Sequence, residues 1–497
     1  MSQAIQRSMA HGAAWMVLFK LLERSLGAIS TLILVRLLAP KDFGMVAMAT
    51  SFIALLEMFA AFGFDVALIQ NQNAPEDHYH TAWTLNAGMR LCIMLFMMAI
   101  AEPVARFYRQ PVLFWVVLAL SLASPIGALE NIGVVAFRKE LNFRREFIFQ
   151  LSRKLAAITV VVPMALWLHS YWALVAGTLV GRLTGTVMSY FMHPFRPRFS
   201  VSGAGALFRF SKWMLLNNFL AFVRVRASDF LVGRVLGPAT LGLYNVSAEF
   251  ANLPTTELGA PINRVLLSGF SRIGNDPPAL SSAYQNAIGL VATVVVPAAA
   301  GIFSVANLLV PVVLGVKWAG AAPLLKLLSF NGAMTVIEGG VYTMMLAIGY
   351  PHDVTRINGI YVAVQVCLML LLVGSFGAIG VAYASLCGSV CAAPFFLYYL
   401  RKHTGIPFSA FLRAVIRPVV AAFVMVVALS WDLPIRFATD LGLGPIICLV
   451  GAVLAGACVY VCALAAVWCA VGRPEGPERM AVERIGVEWR RWSFKRT

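Results

Sequence analysis

Charged side chains set inside long apolar runs are the residues of this sequence that could do chemistry. In the run from Ala13 to Leu38, Lys20, Glu23 and Arg24 share one helical sector with Gly27 and Thr31, a single polar stripe. Later runs contribute Glu57, Asp65, Arg90, Arg182, Asn218, Arg224, Arg226, Asp229, Glu249, Glu257, Lys326 and Glu338. Arg226 lies on the same helix side as Asn218 and Asp229, whereas Arg224 faces elsewhere. An ionised group at the centre of a bilayer costs roughly 2.5–3.5 kcal/mol on insertion scales, so each needs a partner or a wet cavity. One reading makes these groups internal salt bridges: Lys20 with Glu23, Arg226 with Asp229, and Arg90 and Arg182 close to the interface. The other makes Lys20, Arg24, Arg90, Arg182, Asn218, Arg224 and Arg226 the lining of a cavity that grips an anion by charge-assisted, bidentate contacts. Glu23, Glu57 and Asp229 are then the carboxylates that could carry a coupling ion, proton or sodium.

The elements that position these groups must be transmembrane helices. The chain has 497 residues, of which 60% are hydrophobic and 12% charged, and its mean hydropathy is +0.80. Soluble domains carry about 25% charged residues. A helix needs about 20 residues to cross the hydrocarbon, and backbone groups in lipid must be satisfied internally, which rules out open sheets. Apolar runs bounded by Pro, Gly or charge give spans at 13–38, 43–69, 82–107, 112–136, 145–168, 171–192, 207–236, 239–267, 280–313, 322–348, 356–375, 377–400, 410–431 and 443–470. Between Tyr361 and Leu400 the only break is SFGAIG, and Pro297 marks a place where a long run could bend. The run at 13–38 is too long for the apolar part of a removable signal.

Placing the N-terminus inside leaves only Arg36, Lys41, Arg106, Arg109, Arg234, Lys317 and Arg436 on the outer face. The other loop and span-end lysines and arginines fall inside, so both termini are expected in the cytoplasm. The net charge of +17 is thereby assigned to membrane orientation, not to nucleic acid. The eight cysteines lie in apolar runs without histidines at ligand spacing, and Cys458 and Cys462 read as small hydrophobes. APEDHYH, from Ala74 to His80, reads as a solvated loop in preference to a metal site, and no metal or cofactor is expected. No GxxxxGK[ST] phosphate loop occurs, which leaves an ion gradient as the expected driver. In the basic tail, Val482, Ile485, Trp489 and Trp492 recur at helical spacing, as in a segment lying on anionic lipid.

One phrase is written twice. VRLLAPKDFG (35–44) and GRVLGPATLG (233–242) share Arg-x-Leu-x-Pro-x-x-x-Gly in register, 198 residues apart, and Trp15-Met16 matches Trp213-Met214 at the same offset. Six spans separate the copies, so both point the same way and relate two halves about an axis along the membrane normal. The expected organisation is an N-lobe at 1–192, a linker at 193–206, a C-lobe at 207–400, a further helix pair at 401–470 and a tail at 471–497. A cleft between two such lobes suits alternating access.

VRLLAPKDFGMVAMATSF from Val35, FGFDVALIQ from Phe62 and LENIGVVAFRKELNFRREF from Leu129 resemble the polysaccharide flippase family. That family is the Wzx-like branch of the multidrug/oligosaccharidyl-lipid/polysaccharide (MOP) exporter superfamily, and the closest texture is its exopolysaccharide and lipopolysaccharide subgroup. The resemblance implies an all-α, V-shaped fold of fourteen helices in two lobes. It also implies transfer of an oligosaccharide carried on undecaprenyl pyrophosphate from the inner to the outer leaflet of the bacterial inner membrane, with no enzymatic step. The cationic stripe would then hold the pyrophosphate. Expected partners are the lipid-linked oligosaccharide, membrane lipids, and the polymerase and chain-length machinery. A murein lipid-precursor flippase and a multidrug exporter are the nearest rivals. A membrane glycan polymerase or ligase would need a sizeable outer loop, which the sequence lacks.

Overall fold

A computed structural model describes residues 22, 25–60, 75–140, 142–200, 202, 204–254, 266, 270, 277–430, 444–474, 478 and 479. Its helices are α1 (Ser25–Leu37), α2 (Pro40–Ala60), α3 (Glu76–Tyr108), α4 (Leu113–Ser121), α5 (Ala123–Ala128), α6 (Phe143–Leu168) and α7 (Trp172–Met192). They continue with α8 (Ala204–Pro254), α9 (Pro277–Leu309), α10 (Ala321–Ala347), α11 (Pro351–Thr404), α12 (Phe408–Ser430) and α13 (Pro445–Ala470). Among the described residues there is no strand. Among the described residues six helices are long and apolar enough to cross a membrane by length and composition. Large apolar side chains face outward, Trp167 at 87% exposure and Phe191 at 82%, as a lipid-facing surface allows and a water-facing one rarely does.

Two of the long helices are broken by glycine. α8 departs from helical geometry at Gly237 (φ 84°) and α11 at Gly377 (φ 57°), within SFGAIG. Both φ values lie where a side chain is disfavoured. α9 runs continuously through Pro297. The run at 112–136, expected to be one span, is instead interrupted. α4 ends at Ser121, α5 ends at Ala128, and a 3-10 turn capped by the Asn131 side chain follows at Ile132–Val134. Pro125 explains the first break, since it lacks an N–H for the Ser121 carbonyl and its ring crowds that turn. The segment from Glu76 is also not a loop. It is the first turn of α3, where His80 Nδ1 accepts the Arg198 backbone N–H at 2.9 Å.

The chain forms two compact units, 1–242 and 243–497. In the first, α6 and α7 pack along one another and α5 bridges α3 and α7. Leu34, Leu38, Val161, Ala165 and Ala173 make one of its cores. Both copies of the repeated phrase belong to this unit. In each, the helix is interrupted just before the proline, at Ala39 and at Gly237, because a residue preceding proline is driven out of the α region. In the first copy Asp42 reaches back to accept the Ala39 N–H at 2.9 Å. The two phrases cross reciprocally. A Cβ on Gly44 would overlap the Pro238 carbonyl, and one on Gly242 would overlap the Pro40 carbonyl. Only glycine permits that approach.

In the second unit α9 is central, packing against α10, α12 and α13. Val291, Val295, Ala299, Ala333, Val336 and Ile337 form one core. Ala300, Ala421, Ala422, Met425, Leu429 and Tyr460 form another, and the Tyr460 hydroxyl donates to the Thr293 carbonyl at 2.8 Å.

Candidate functional site

Three helices of the first unit bring a carboxylate and two guanidiniums together, the guanidiniums midway along α3 and α7. Glu57, near the end of α2, offers Oε1 to Arg182 Nη2 of α7 at 3.5 Å and to Arg90 Nη1 of α3 at 4.0 Å. Arg90 Nε is held by Asn86 Oδ1 at 3.0 Å, one turn earlier on α3. The three charged side chains are 36%, 32% and 25% exposed respectively. Gly127 of α5 completes the site. A Cβ there would stand 3.2 Å from an Arg90 guanidinium nitrogen and 3.5 Å from one of Arg182. The glycine therefore clears room beside both cations. One carboxylate shared by two guanidiniums leaves the group with a net positive charge.

A second set of charges adjoins it. Arg153 of α6 pairs with Glu130 at 3.6 Å, and its guanidinium lies over the Phe149 ring, 5.6 Å from the centroid. It fills the space a side chain would take at Gly185, one turn from Arg182 on α7. Next to Arg153, Lys154 places Nζ 3.1 Å from where a Cβ on Gly27 would sit. Gly27 belongs to the stripe of the first helix. Lys20, Glu23 and Arg24 of that stripe lie outside the described residues, as do Asp65 and Glu257. Glu130, Arg153 and Lys154 were not singled out from the sequence, because they sit near the ends of their runs and read as loop charges. The signal that could have found the two cations is the pair of small residues facing them, Gly185 beside Arg153 and Gly27 beside Lys154.

The remaining predicted residues are arranged differently. Arg226 pairs with Asp229 at 2.9 Å, and the same Asp229 oxygen accepts the Ser51 hydroxyl at 2.9 Å. Asp229 is buried, so this is a helix-packing contact inside the unit. Arg224 and Asn218 are half-buried on α8. Arg224 and Arg226 are two positions apart, about 200° around the helix. In the second unit Glu338 is buried, and Lys326 lies over the Phe303 ring. At the ends of α11, Asp353 pairs with His403 at 2.8 Å and with Arg356 at 3.1 Å.

Long apolar helices, two of them broken by glycine, define a polytopic membrane protein. Its fold is that of the MOP exporters. The chain aligns with the solved lipid II flippase MurJ in its inward closed conformation at a TM-score of 0.72, covering 91% of this chain and 98% of that one with 14% identity. It aligns with an inward-facing multidrug resistance transporter of the MATE family at 0.56, covering 77% and 95% with 14% identity. The profile of a family described as polysaccharide biosynthesis protein matches residues 33–323. The chain belongs to that family, as a Wzx-like flippase and not an enzyme. Relatives include the lipopolysaccharide biosynthesis protein WzxC of Escherichia coli K12, 25% identical over 344 residues, 68% of this chain and 69% of WzxC. The succinoglycan biosynthesis transport protein ExoT of Rhizobium meliloti is 25% identical over 327 residues, 65% of this chain and 66% of ExoT. The teichuronic acid biosynthesis protein TuaB of Bacillus subtilis is 25% identical over 295 residues, 58% of this chain and 60% of TuaB.

Proposed function

We propose that the chain moves an oligosaccharide repeat unit linked to undecaprenyl pyrophosphate from the inner to the outer leaflet of the cytoplasmic membrane, by alternating access. The product serves surface polysaccharide assembly. In this reading fourteen spans form two lobes of six and a further pair, with both termini in the cytoplasm, where most loop lysines and arginines then lie. The observation that carries it is the Glu57–Arg90–Arg182 group, net positive and drawn from three helices. A pyrophosphate can engage two guanidiniums bidentately, which a single cation cannot match. Arg153 and Lys154 extend the same positive lining, and the proposal assigns the cationic stripe of Lys20 and Arg24 to the same anion.

Glu57 is the coupling carboxylate of this proposal. Taking up a proton or sodium ion there weakens its hold on both arginines and frees them for the anion. Glu23 is a second candidate, while Asp229 is tied to Arg226 and Ser51 and serves packing. Polymerase and chain-length proteins are the partners the proposal expects at the outer leaflet. The test is deletion of the gene, with analysis of surface polysaccharide and of lipid-linked intermediates. The proposal requires loss of the polysaccharide and accumulation of undecaprenyl-linked repeat units, restored by the wild-type chain. Unchanged polysaccharide would overturn it. The high structural likeness to MurJ supports a second reading, a murein lipid-precursor carrier. Rescue of cells depleted of their murein flippase would select that one.

A further inference from the structure

The second unit holds a separate charged cavity that the transport reading does not use. It has a volume of about 490 Å³ and is walled by the start of α9 (Ser281, Ser282, Gln285, Asn286) and the start of α12 (Arg413, Arg417). The chain leaving α13 closes it. After Val471 the backbone reverses through Gly472 and Arg473, both at positive φ. Trp468 Nε1 then donates to the Pro474 carbonyl at 3.1 Å, which sets Pro474 on the cavity rim. From there the chain returns Glu478 to Arg417, Oε2 to Nη1 at 3.1 Å, with the two side chains only 8% and 9% exposed.

Arg417 is a buried cation whose charge is met by a carboxylate from a terminal segment. Removing one partner of such a pair leaves an uncompensated buried charge, a large penalty. Any anion entering in place of Glu478 is therefore drawn to the same spot. The site is also not balanced by one carboxylate. Arg413 stands one turn before Arg417 on α12, its guanidinium bonded only weakly to Ser409, with both donor distances at 3.3 Å. Like charges at i, i+4 repel, and apart from Glu478 on Arg417 no acidic residue meets the cavity among the described residues. A group with more charge and more acceptor oxygens than a carboxylate would bridge both arginines. Hydroxyls and amides from α9 face it across a space of ligand size.

We propose that this cavity is a binding site for a phosphate-bearing anion, and that Glu478 is an internal occupant which the anion displaces. The phosphate comes either from the headgroup of an anionic lipid or from a soluble phosphate compound, and the two sources share this chemistry. The inference does not depend on the identity of the transported molecule.

The test uses the full chain in nanodiscs and reads tryptic cleavage of the Arg479–Met480 bond by the mass of the product. Glu478 adjoins that bond, so the protease must wait for the tail to leave Arg417, and cleavage tracks the population of the released form. In phosphatidylcholine discs the wild type is cleaved slowly, and Glu478→Gln raises the rate at least about fivefold without any added anion. Phosphatidylglycerol at a fifth of the lipid, or inorganic pyrophosphate in the buffer, raises the wild-type rate by a similar factor over sodium chloride of matched ionic strength. A response to the lipid alone assigns the headgroup, and a response to pyrophosphate alone assigns the soluble source. Arg413→Gln, an exposed position that leaves Arg417–Glu478 intact, raises the anion concentration needed for half the effect. The proposal is overturned if neither anion exceeds the salt control, if Glu478→Gln is cleaved no faster than wild type, or if Arg413→Gln responds as wild type does.

Discussion

The two compact units of this transporter differ in where their charge lies. α3 and α9 are each 33 residues long and each follows the helix that opens with the repeated Pro-x-x-x-Gly. Midway along α3 stands Arg90, whereas α9 contains no Asp, Glu, Lys or Arg and buries Val291 and Val295 at comparable depth. α7 carries Arg182, while the arm of α11 from Ala378 to Leu400 is uncharged. The residue 198 positions beyond Glu57 is Thr255. Midway along the helices of the second unit the described polar contacts include neutral ones, Gln365 with Ser385 and Ser389 with Asn331. Its ion pairs Asp353–His403 and Arg417–Glu478 lie at the ends of α11 and between α12 and the chain beyond α13. The symmetric feature is the backbone crossing of Gly44 and Gly242. The repeated phrase is thus symmetric in its backbone contact, each glycine meeting the proline carbonyl of the other copy, whereas the proposed anion cradle has no counterpart at the corresponding positions of the second unit.

That contrast predicts effects of very different size. Gly44→Val and Gly242→Val should be equally damaging, since each side chain would overlap a proline carbonyl. Both are expected to reduce folded protein in membranes by an order of magnitude or more, read by quantitative blotting and fluorescence-detected gel filtration. Unequal effects would break the symmetry argument. Neutralising the cradle with Arg90→Gln and Arg182→Gln together should leave abundance unchanged and reduce polysaccharide export about 100-fold, two charge-assisted contacts at about 1.5 kcal/mol each. Glu57→Gln is expected to have an intermediate effect, several-fold slower export with a flattened dependence on external pH. Unaltered pH dependence would remove Glu57 from the coupling role.

The smallest expected effect concerns the segment after α7. Burial lowers the pKa of His193 from its ordinary 6.5, against a raising influence from Glu140 and with further lowering by Arg145 and Arg196. Its Nδ1 accepts the Phe195 N–H at 3.2 Å, so the neutral ring is the folded form. The unfolded chain binds the proton more readily, and stability must fall as pH drops below 6.5 towards the lowered value. A modest loss of thermal stability between pH 7 and 5.5 is expected, and it should shrink in His193→Gln.

Much of the scaffold was legible because it follows from local rules. The break at Gly377 was written in SFGAIG, and the Arg226–Asp229 contact in an i, i+3 spacing. The break at Leu122 is not visible in hydropathy, because Pro125 lies inside a continuous apolar run from 112 to 136. The candidate site was legible in its residue types and not in its assembly. Arg90, Arg182 and Glu57 come from three helices with no shared periodicity, so no sequence spacing could join them. Arg153 and Glu130 were hidden for a related reason. Charges near a span end look solvated until a neighbouring glycine shows that a helix has closed over them.

The account stands on the cradle gripping a pyrophosphate, and binding tests that most directly. Purified wild type and the Arg90→Gln/Arg182→Gln variant, both shown to be folded, would be titrated with undecaprenyl pyrophosphate in nanodiscs. A Kd about 100-fold higher for the variant is the predicted result. Equal affinities would contradict the account.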